Sequence, residues 1–424
     1  MLDRLCSIVG PGAVRAGDEA RWAVHGVVPK AVVAPASAEE AAAVLALASR
    51  EGWVVEPAGA GACLDAGRVP GRVDVVLTTE RLAEVVEYEP ADLTASVGAG
   101  IRMAALAARF GAHRQWLPLD PPGHPAATLG AIVSTASAGP LRLAHGTPRD
   151  HVLGLQLVTG DGRILELGGK VVKNVAGYDL VKLVVGSRGT LGVVTRVNVR
   201  LRPIPAADVT VALLASGPDR LVAAFQAMRE ARIEAAALEL VSPALSGSLL
   251  GEPDAWALLV RFQGNAEAVE AARSRLPSVA QGARVEALSP DRAEAVWSGL
   301  SAQEARAALA VRLADRPSEL AGTLATAARF FPGSPVAAHA GDGIVRVLVA
   351  APEGAATGSC VEAIAGARSA MAARGGTAIV ARGPREILEE VDPYGPVGPA
   401  LRLMQALKKE FDPAGILAPG RFVV

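Results

Sequence analysis

Pro57-Ala58-Gly59-Ala60-Gly61-Ala62-Cys63 follows a short stretch, Trp53 to Glu56, that reads as a strand ending at Pro57. Small side chains at six successive positions, 58 to 63, let backbone N–H groups turn toward a phosphate without interference, which is the functional reading of the loop. A plain turn accounts for the same residues. The dinucleotide fingerprint G-x-G-x-x-G fails here, because position 64 is Leu where the third Gly belongs. Asp65 to Arg72 also contains Gly67, Pro70 and Gly71, so no helix follows.

Outward from this loop, strand-like and helix-like segments alternate. Val32 to Ala34 reads as a strand, and Ser37-Ala38-Glu39-Glu40 as a capping box opening a helix that runs through Arg50 to Gly52. Further strands are expected at Val73 to Leu77, Leu93 to Val97, Val152 to Val158 and Val193 to Arg200, with a helix at Met103 to Phe110. A second run of small residues follows Pro118-Leu119-Asp120-Pro121-Pro122: Ala127-Thr128-Leu129-Gly130-Ala131, then Val133 to Gly139. A closely approached ligand and a close-packed helix start both explain such a run. A third block reads Lys173-Asn174-Val175-Ala176-Gly177-Tyr178-Asp179-Leu180, then Gly186-Ser187-Arg188-Gly189-Thr190-Leu191-Gly192-Val193-Val194-Thr195.

The whole chain of 424 residues exceeds what one core usually serves, so two or three domains are expected. Arg202-Pro203-Ile204-Pro205 breaks the pattern, and beyond it short strands cycle with Ala-rich helices. Strands at Val209 to Leu214, Ala236 to Val241, Trp256 to Phe262 and Val285 to Leu288, with helices at Asp219 to Ala231 and Ala266 to Leu276, give the order of a ferredoxin-like unit. A second cycle runs from Leu309 to Val380, and Ala400 to Glu410 forms a final amphipathic helix before Asp412-Pro413.

Composition narrows the function classes. Lys plus Arg (42) balance Asp plus Glu (43), so there is no basic field to attract nucleic acid or anionic lipid. Cys6, Cys63 and Cys360 are too dispersed for an iron-sulfur cluster or a zinc site of cysteine pairs on this chain. The first residues show no basic start and no long apolar run, and no stretch approaches the roughly 18 apolar residues of a spanning helix. A cytoplasmic location is expected, with membrane contact only through partners.

The three small-residue blocks together, in their order, resemble the flavin-binding domain of the vanillyl-alcohol oxidase and p-cresol methylhydroxylase superfamily. The resemblance covers about residues 28 to 203, and the tail from Leu403 to Arg421, containing Asp412-Pro413-Ala414-Gly415-Ile416-Leu417, resembles that family's closing segment. Within the superfamily, Val172 to Leu180 is most similar to the E-type FAD-binding subunit of bacterial glycolate oxidases. The resemblance implies an α+β fold: a two-subdomain PCMH-type FAD-binding domain (1–203), a ferredoxin-like α+β cap (204–384) and a C-terminal segment (385–424) returning to the flavin domain. It implies FAD, noncovalent because the first loop has no histidine. It further implies oxidation of a small 2-hydroxy acid by a subunit that works with a second FAD-binding oxidase subunit and an iron-sulfur subunit.

By the same resemblance the FAD pyrophosphate belongs on Ala58, Gly59, Ala60, Gly61, Ala62 and Cys63. The second block would contribute Pro118, Asp120, Thr128, Gly130, Ala131 and Thr135. His145, Gly146 and Arg149 come from His145-Gly146-Thr147-Pro148-Arg149-Asp150, which stands for the family's Y-G-T-x-R-D. Gly189, Gly192, Val193 and Val194 would close over the ring. Departures include Ala131, Ile132, Ala136 and Ala138 in the second motif and Arg188 where Glu is usual. His339-Ala340-Gly341-Asp342-Gly343-Ile344-Val345-Arg346 resembles the H-A-G-D-G-N-L-H segment of related 2-hydroxyacid dehydrogenases, in which both histidines help hold a metal. Arg346 takes the second histidine's place and Asp392-Pro393-Tyr394 stands in the other metal motif, so no metal site is expected. His339 is the catalytic candidate, against a satisfied structural histidine. Arg312 and Arg346 are weighed as clamps for a carboxylate, against ion-paired arginines.

Overall fold

The computed structural model describes residues 1–423 except 18–19, 124–125, 170–176 and 351–355. His124 and the part of the Val172–Leu180 block up to residue 176 therefore lie outside the described residues. Two larger sheets build the first half, beside a two-stranded pair of Gln115–Trp116 with Arg202–Pro203. One has four strands, in the order Val14–Ala16, Ala31–Val33, Val75–Thr78, Val55–Ala58. The other has five antiparallel strands, in the order Val85–Glu89, Thr94–Gly98, Val193–Arg200, Val152–Val158, Ile164–Gly168.

Local chemistry explains the elements that frame the gap between these sheets. The helix Ala38–Glu51 starts where Ser37 Oγ accepts the Glu40 N–H at 3.1 Å, and it stops at Gly52 in the left-handed region, φ +64°. The strand Val55–Ala58 runs through Pro57 instead of stopping there. It is an edge strand, where a missing N–H breaks no ladder bond, and the C-terminal tail lies along it: Val55 N–H donates to Ile416 at 2.8 Å and Ala418 N–H to Val55 at 2.8 Å. Asp412 locks that tail by accepting from Ile416 and Leu417 N–H at 3.1 and 2.8 Å and from Lys408 Nζ at 2.6 Å.

The cap carries one eight-stranded sheet. Its strands are β1 (Ala207–Ala215), β2 (Ala237–Val241), β3 (Trp256–Gly264), β4 (Arg284–Ala287), β5 (Leu309–Ala314), β6 (Val336–His339), β7 (Ile344–Val349) and β8 (Thr377–Arg382), in the spatial order β4-β1-β3-β2-β6-β7-β5-β8. Each half repeats the ferredoxin-like order, and the halves join edge to edge through β2 and β6. One face, with Leu238, Leu240, Val260, Val311, Val345 and Val347, packs on apolar helices. The opposite face is only partly covered, by Pro243–Leu250 and Pro290–Arg306, and the uncovered part looks back at the first half of the chain. Among the described residues no helix is long and apolar enough to cross a membrane.

Candidate functional site

A cavity of about 410 Å³ lies between the two first-half sheets and the cap, within the about 300–1,000 Å³ range of small-molecule and cofactor sites. The first loop forms one wall: Ala58, Gly59, Ala60, Gly61, Ala62 and Cys63 all line it. The N–H groups of Ala60 through Leu64 donate no hydrogen bond within the described residues, so this wall is a row of open donors. A Cβ at Gly59 would sit 2.1 Å from Thr128 Oγ1, which pins the first loop against the second. At Gly61 the demand is conformational: φ is +86°, and a Cβ would face Arg21 O and the Trp22 ring rather than the cavity.

The close-packed helix start describes one side of the second small-residue run, and the other side faces the cavity. It forms the helix Leu129–Thr135, whose Gly130 packs so tightly that a Cβ would lie 2.7 Å from that of Ala99. Its other side, with Thr128, Ala131 and Thr135, lines the cavity. Gly189, Gly192, Val193 and Val194 complete this floor. Gly189 abuts Pro57, and Gly192 abuts Leu157.

Five residues of the resemblance stand off the cavity lining. Pro118 is buried, and Asp120 accepts from Leu141 N–H at 3.0 Å, its carboxyl pushed up to about 7 by burial. His145 bridges to the cap through Gln263 at 3.0 Å and stands edge-on to Trp116. Gly146 and Arg149 belong to a helix start: Asp150 accepts from Thr147 N–H at 2.8 Å, and Arg149 faces solvent.

The cap supplies the roof. Antiparallel pairing sets Glu239 opposite His339, Ala337 opposite Arg346, and Arg346 opposite Arg312, so these side chains share the face that looks into the cavity. Glu239 is fully buried and bonds both His339 Nδ1 and Arg346 Nη2, while Arg346 Nη1 lies 2.6 Å from Glu304. Arg346 is thus an ion-paired arginine. Burial pushes the Glu239 carboxyl up to about 7 against the opposing pull of Arg346, and it raises Glu304 as well. Burial and the Arg346 charge hold His339 well below its ordinary value, so the imidazole is neutral at neutral pH. With Nδ1 committed to Glu239, His339 Nε2 has no partner among the described residues, and the residue lines the cavity. Arg312 lines it too and forms no ion pair among the described residues. No group of three His, Cys, Asp or Glu side chains among the described residues is placed to hold a metal ion.

Sequence reasoning passed over Glu239 and Glu304, and it noted Arg188 only as a departure from a motif, not as a residue lining the cavity. Glu239 had a signal: a carboxylate in the middle of the apolar strand Ala-Leu-Glu-Leu-Val, on an alternating position. Glu304, near the end of a polar helix, had none.

Comparison with known proteins gives a consistent picture. Residues 29–168 match the FAD binding domain family, and residues 394–422 the C-terminal domain of FAD linked oxidases. The chain is 30% identical to D-2-hydroxyglutarate dehydrogenase of Xanthomonas citri pv. viticola, over 78% of its own length and 75% of that protein's. It is 35% identical to glycolate oxidase subunit GlcE of Escherichia coli over 45% of the chain and 51% of that subunit. With D-lactate dehydrogenase of Archaeoglobus fulgidus it shares 40% identity over 41% of the chain and 38% of that protein. The chain thus spans about half or less of the length of these last two relatives. In fold it is similar to p-cresol methylhydroxylase, with a TM-score of 0.77 at 16% identity over 99% of this chain and 95% of that one. Alkyldihydroxyacetonephosphate synthase gives 0.74 at 16% identity, over 99% and 85%.

Proposed function

The chain belongs to the FAD-linked oxidase family, with FAD as its cofactor, and from this premise we propose that it is the flavin-binding subunit of a glycolate oxidase-type complex, oxidising a small 2-hydroxy acid. The cavity fits that cofactor: open N–H donors line one wall, and small residues floor the rest. The single observation that carries the substrate reading is the cap roof, where Arg312, without an ion pair among the described residues, and the Glu239-held His339 face the same cavity.

Bound FAD supplies the hydride acceptor. Arg312 binds the substrate carboxylate through its planar fork, which orients the hydroxyl-bearing carbon. His339 Nε2 takes the hydroxyl proton as the carbon–hydrogen bond is broken. Glu239 fixes the tautomer that presents this lone pair and stabilises the imidazolium that forms, while Arg346 and Glu304 hold Glu239 in place. Substrate oxidation would need an onward electron outlet, and three dispersed cysteines supply no cluster on this chain. The partners proposed are a second FAD-binding 2-hydroxyacid oxidase subunit and an iron-sulfur subunit. A self-sufficient D-2-hydroxyacid dehydrogenase is the second reading, favoured by the relative that aligns over most of the chain.

Co-expression decides between them. The chain alone is expected to show little glycolate- or D-lactate:dye activity, and activity is expected to appear with both partners. Full turnover by the isolated chain would establish the second reading instead.

Two further results are expected. Acid precipitation should release the FAD into the supernatant, since the first loop offers no histidine for a covalent link, and flavin retained in the pellet would overturn this. Arg312→Met in the active complex should raise KM for the 2-hydroxy acid about 10- to 100-fold with a smaller change in kcat, the loss of one charge-assisted contact. An unchanged KM would remove Arg312 from the carboxylate site.

A further inference from the structure

We propose that Arg188 is the cation that holds the FAD pyrophosphate against the first loop, an inference that rests on the cofactor reading above. Its backbone is costly for an L residue: φ is +55°, a region Gly or Asn enters far more readily. The conformation is fixed by its N–H, which donates to Ser134 O at 2.7 Å. The guanidinium lies over Tyr394 at 5.5 Å and Phe422 at 5.9 Å, two rings from the C-terminal segment that meet edge-to-face at 4.9 Å. The side chain is therefore aimed, not loose.

Aimed and half-buried, it nevertheless pairs with no carboxylate and donates no side-chain hydrogen bond among the described residues. Two guanidiniums beside the first loop are already engaged. Arg382 bonds Asp65 at 3.1 Å and the Ala62 carbonyl at 3.0 Å, and Arg421 pairs with buried Glu56 at 3.2 Å. Arg188 lines the same cavity as the open N–H groups of Ala60 to Leu64, and the residue after it, Gly189, abuts Pro57 at the head of that loop. A fixed free cation beside a row of free donors is the complement of a diphosphate. Arg serves here better than Lys, because its planar group stacks on the two rings while offering a fork of donors.

The test measures FAD affinity of the deflavinated full-length chain by flavin fluorescence, with ADP as a competing ligand that carries the diphosphate but no flavin. Arg188→Gln should weaken FAD and ADP alike by about 10- to 100-fold. Arg188→Lys should restore part of both, and added salt should weaken the wild type more than Arg188→Gln. Circular dichroism of each apoprotein checks that the fold is kept. Wild-type affinity in a folded Arg188→Gln would overturn the proposal. So would weakened FAD with unchanged ADP, which would move Arg188 to the flavin end. A wild-type chain that takes up no FAD would overturn the cofactor reading itself, a result distinguishable from either.

Discussion

His339→Gln is expected to lower kcat on a 2-hydroxy acid by about 10²- to 10⁴-fold, the range for removing a positioned general base, with bound FAD unchanged. The measurement is steady-state turnover by the active complex together with flavin content by absorbance. The effect follows from the geometry at the roof: Nδ1 is tied to a buried carboxylate, and Nε2 is left for the substrate. The pH dependence has a definite sign. The imidazole is held well below its ordinary value and stays in the base form through neutrality, so His339 itself adds no alkaline loss. Glu239 takes a proton as pH falls through about 7, which removes the acceptor of the Nδ1–H. The rate should fall on the acid side of about 7 and be level above it. A folded, flavin-loaded His339→Gln complex with wild-type kcat would reduce His339 to a structural residue.

Arg346→Met should destabilise the cap by about 3–5 kcal/mol at pH 7, because it leaves the buried carboxylates of Glu239 and Glu304 without their shared guanidinium. Urea unfolding reads this directly. Both carboxyls are already pushed upward by burial, so acidification should shrink the deficit as they take up protons. Adding Glu239→Gln to Arg346→Met should recover part of the loss for the same reason. An Arg346→Met midpoint equal to the wild type would show that the network is solvated and carries no strain.

The cavity floor was legible because close approach is written in composition. Gly59, Gly130, Gly189 and Gly192 each meet a neighbour within about van der Waals reach of a missing Cβ, and such positions leave a visible run of small residues. The first ferredoxin-like cycle was legible for a related reason, since strand alternation is local, whereas the second was legible only as a less regular cycle from Leu309 to Val380. The roof was not. Glu239 and His339 are 100 residues apart, and only the pairing of β2 with β6 sets them side by side. Arg188 stood out as a departure from a motif, yet its lack of an ion-pair partner among the described residues belongs to the tertiary structure. Pro57 misled because an edge strand tolerates what a central one does not. The resemblance assigns His145, Gly146 and Arg149 to the cofactor, and the structure places that segment at a capped helix start off the cavity lining.

Anaerobic addition of glycolate or D-lactate to the flavin-loaded chain, alone and with its co-expressed partners, tests the central claim most directly, through the visible absorbance of the flavin on this chain. The account expects that a short 2-hydroxy acid bleaches this flavin, that the analogue lacking the hydroxyl does not, and that His339→Gln slows the bleaching. Flavin that stays oxidised with every 2-hydroxy acid, with and without partners, would contradict it and leave the chain a flavin-binding relay with no substrate site of its own.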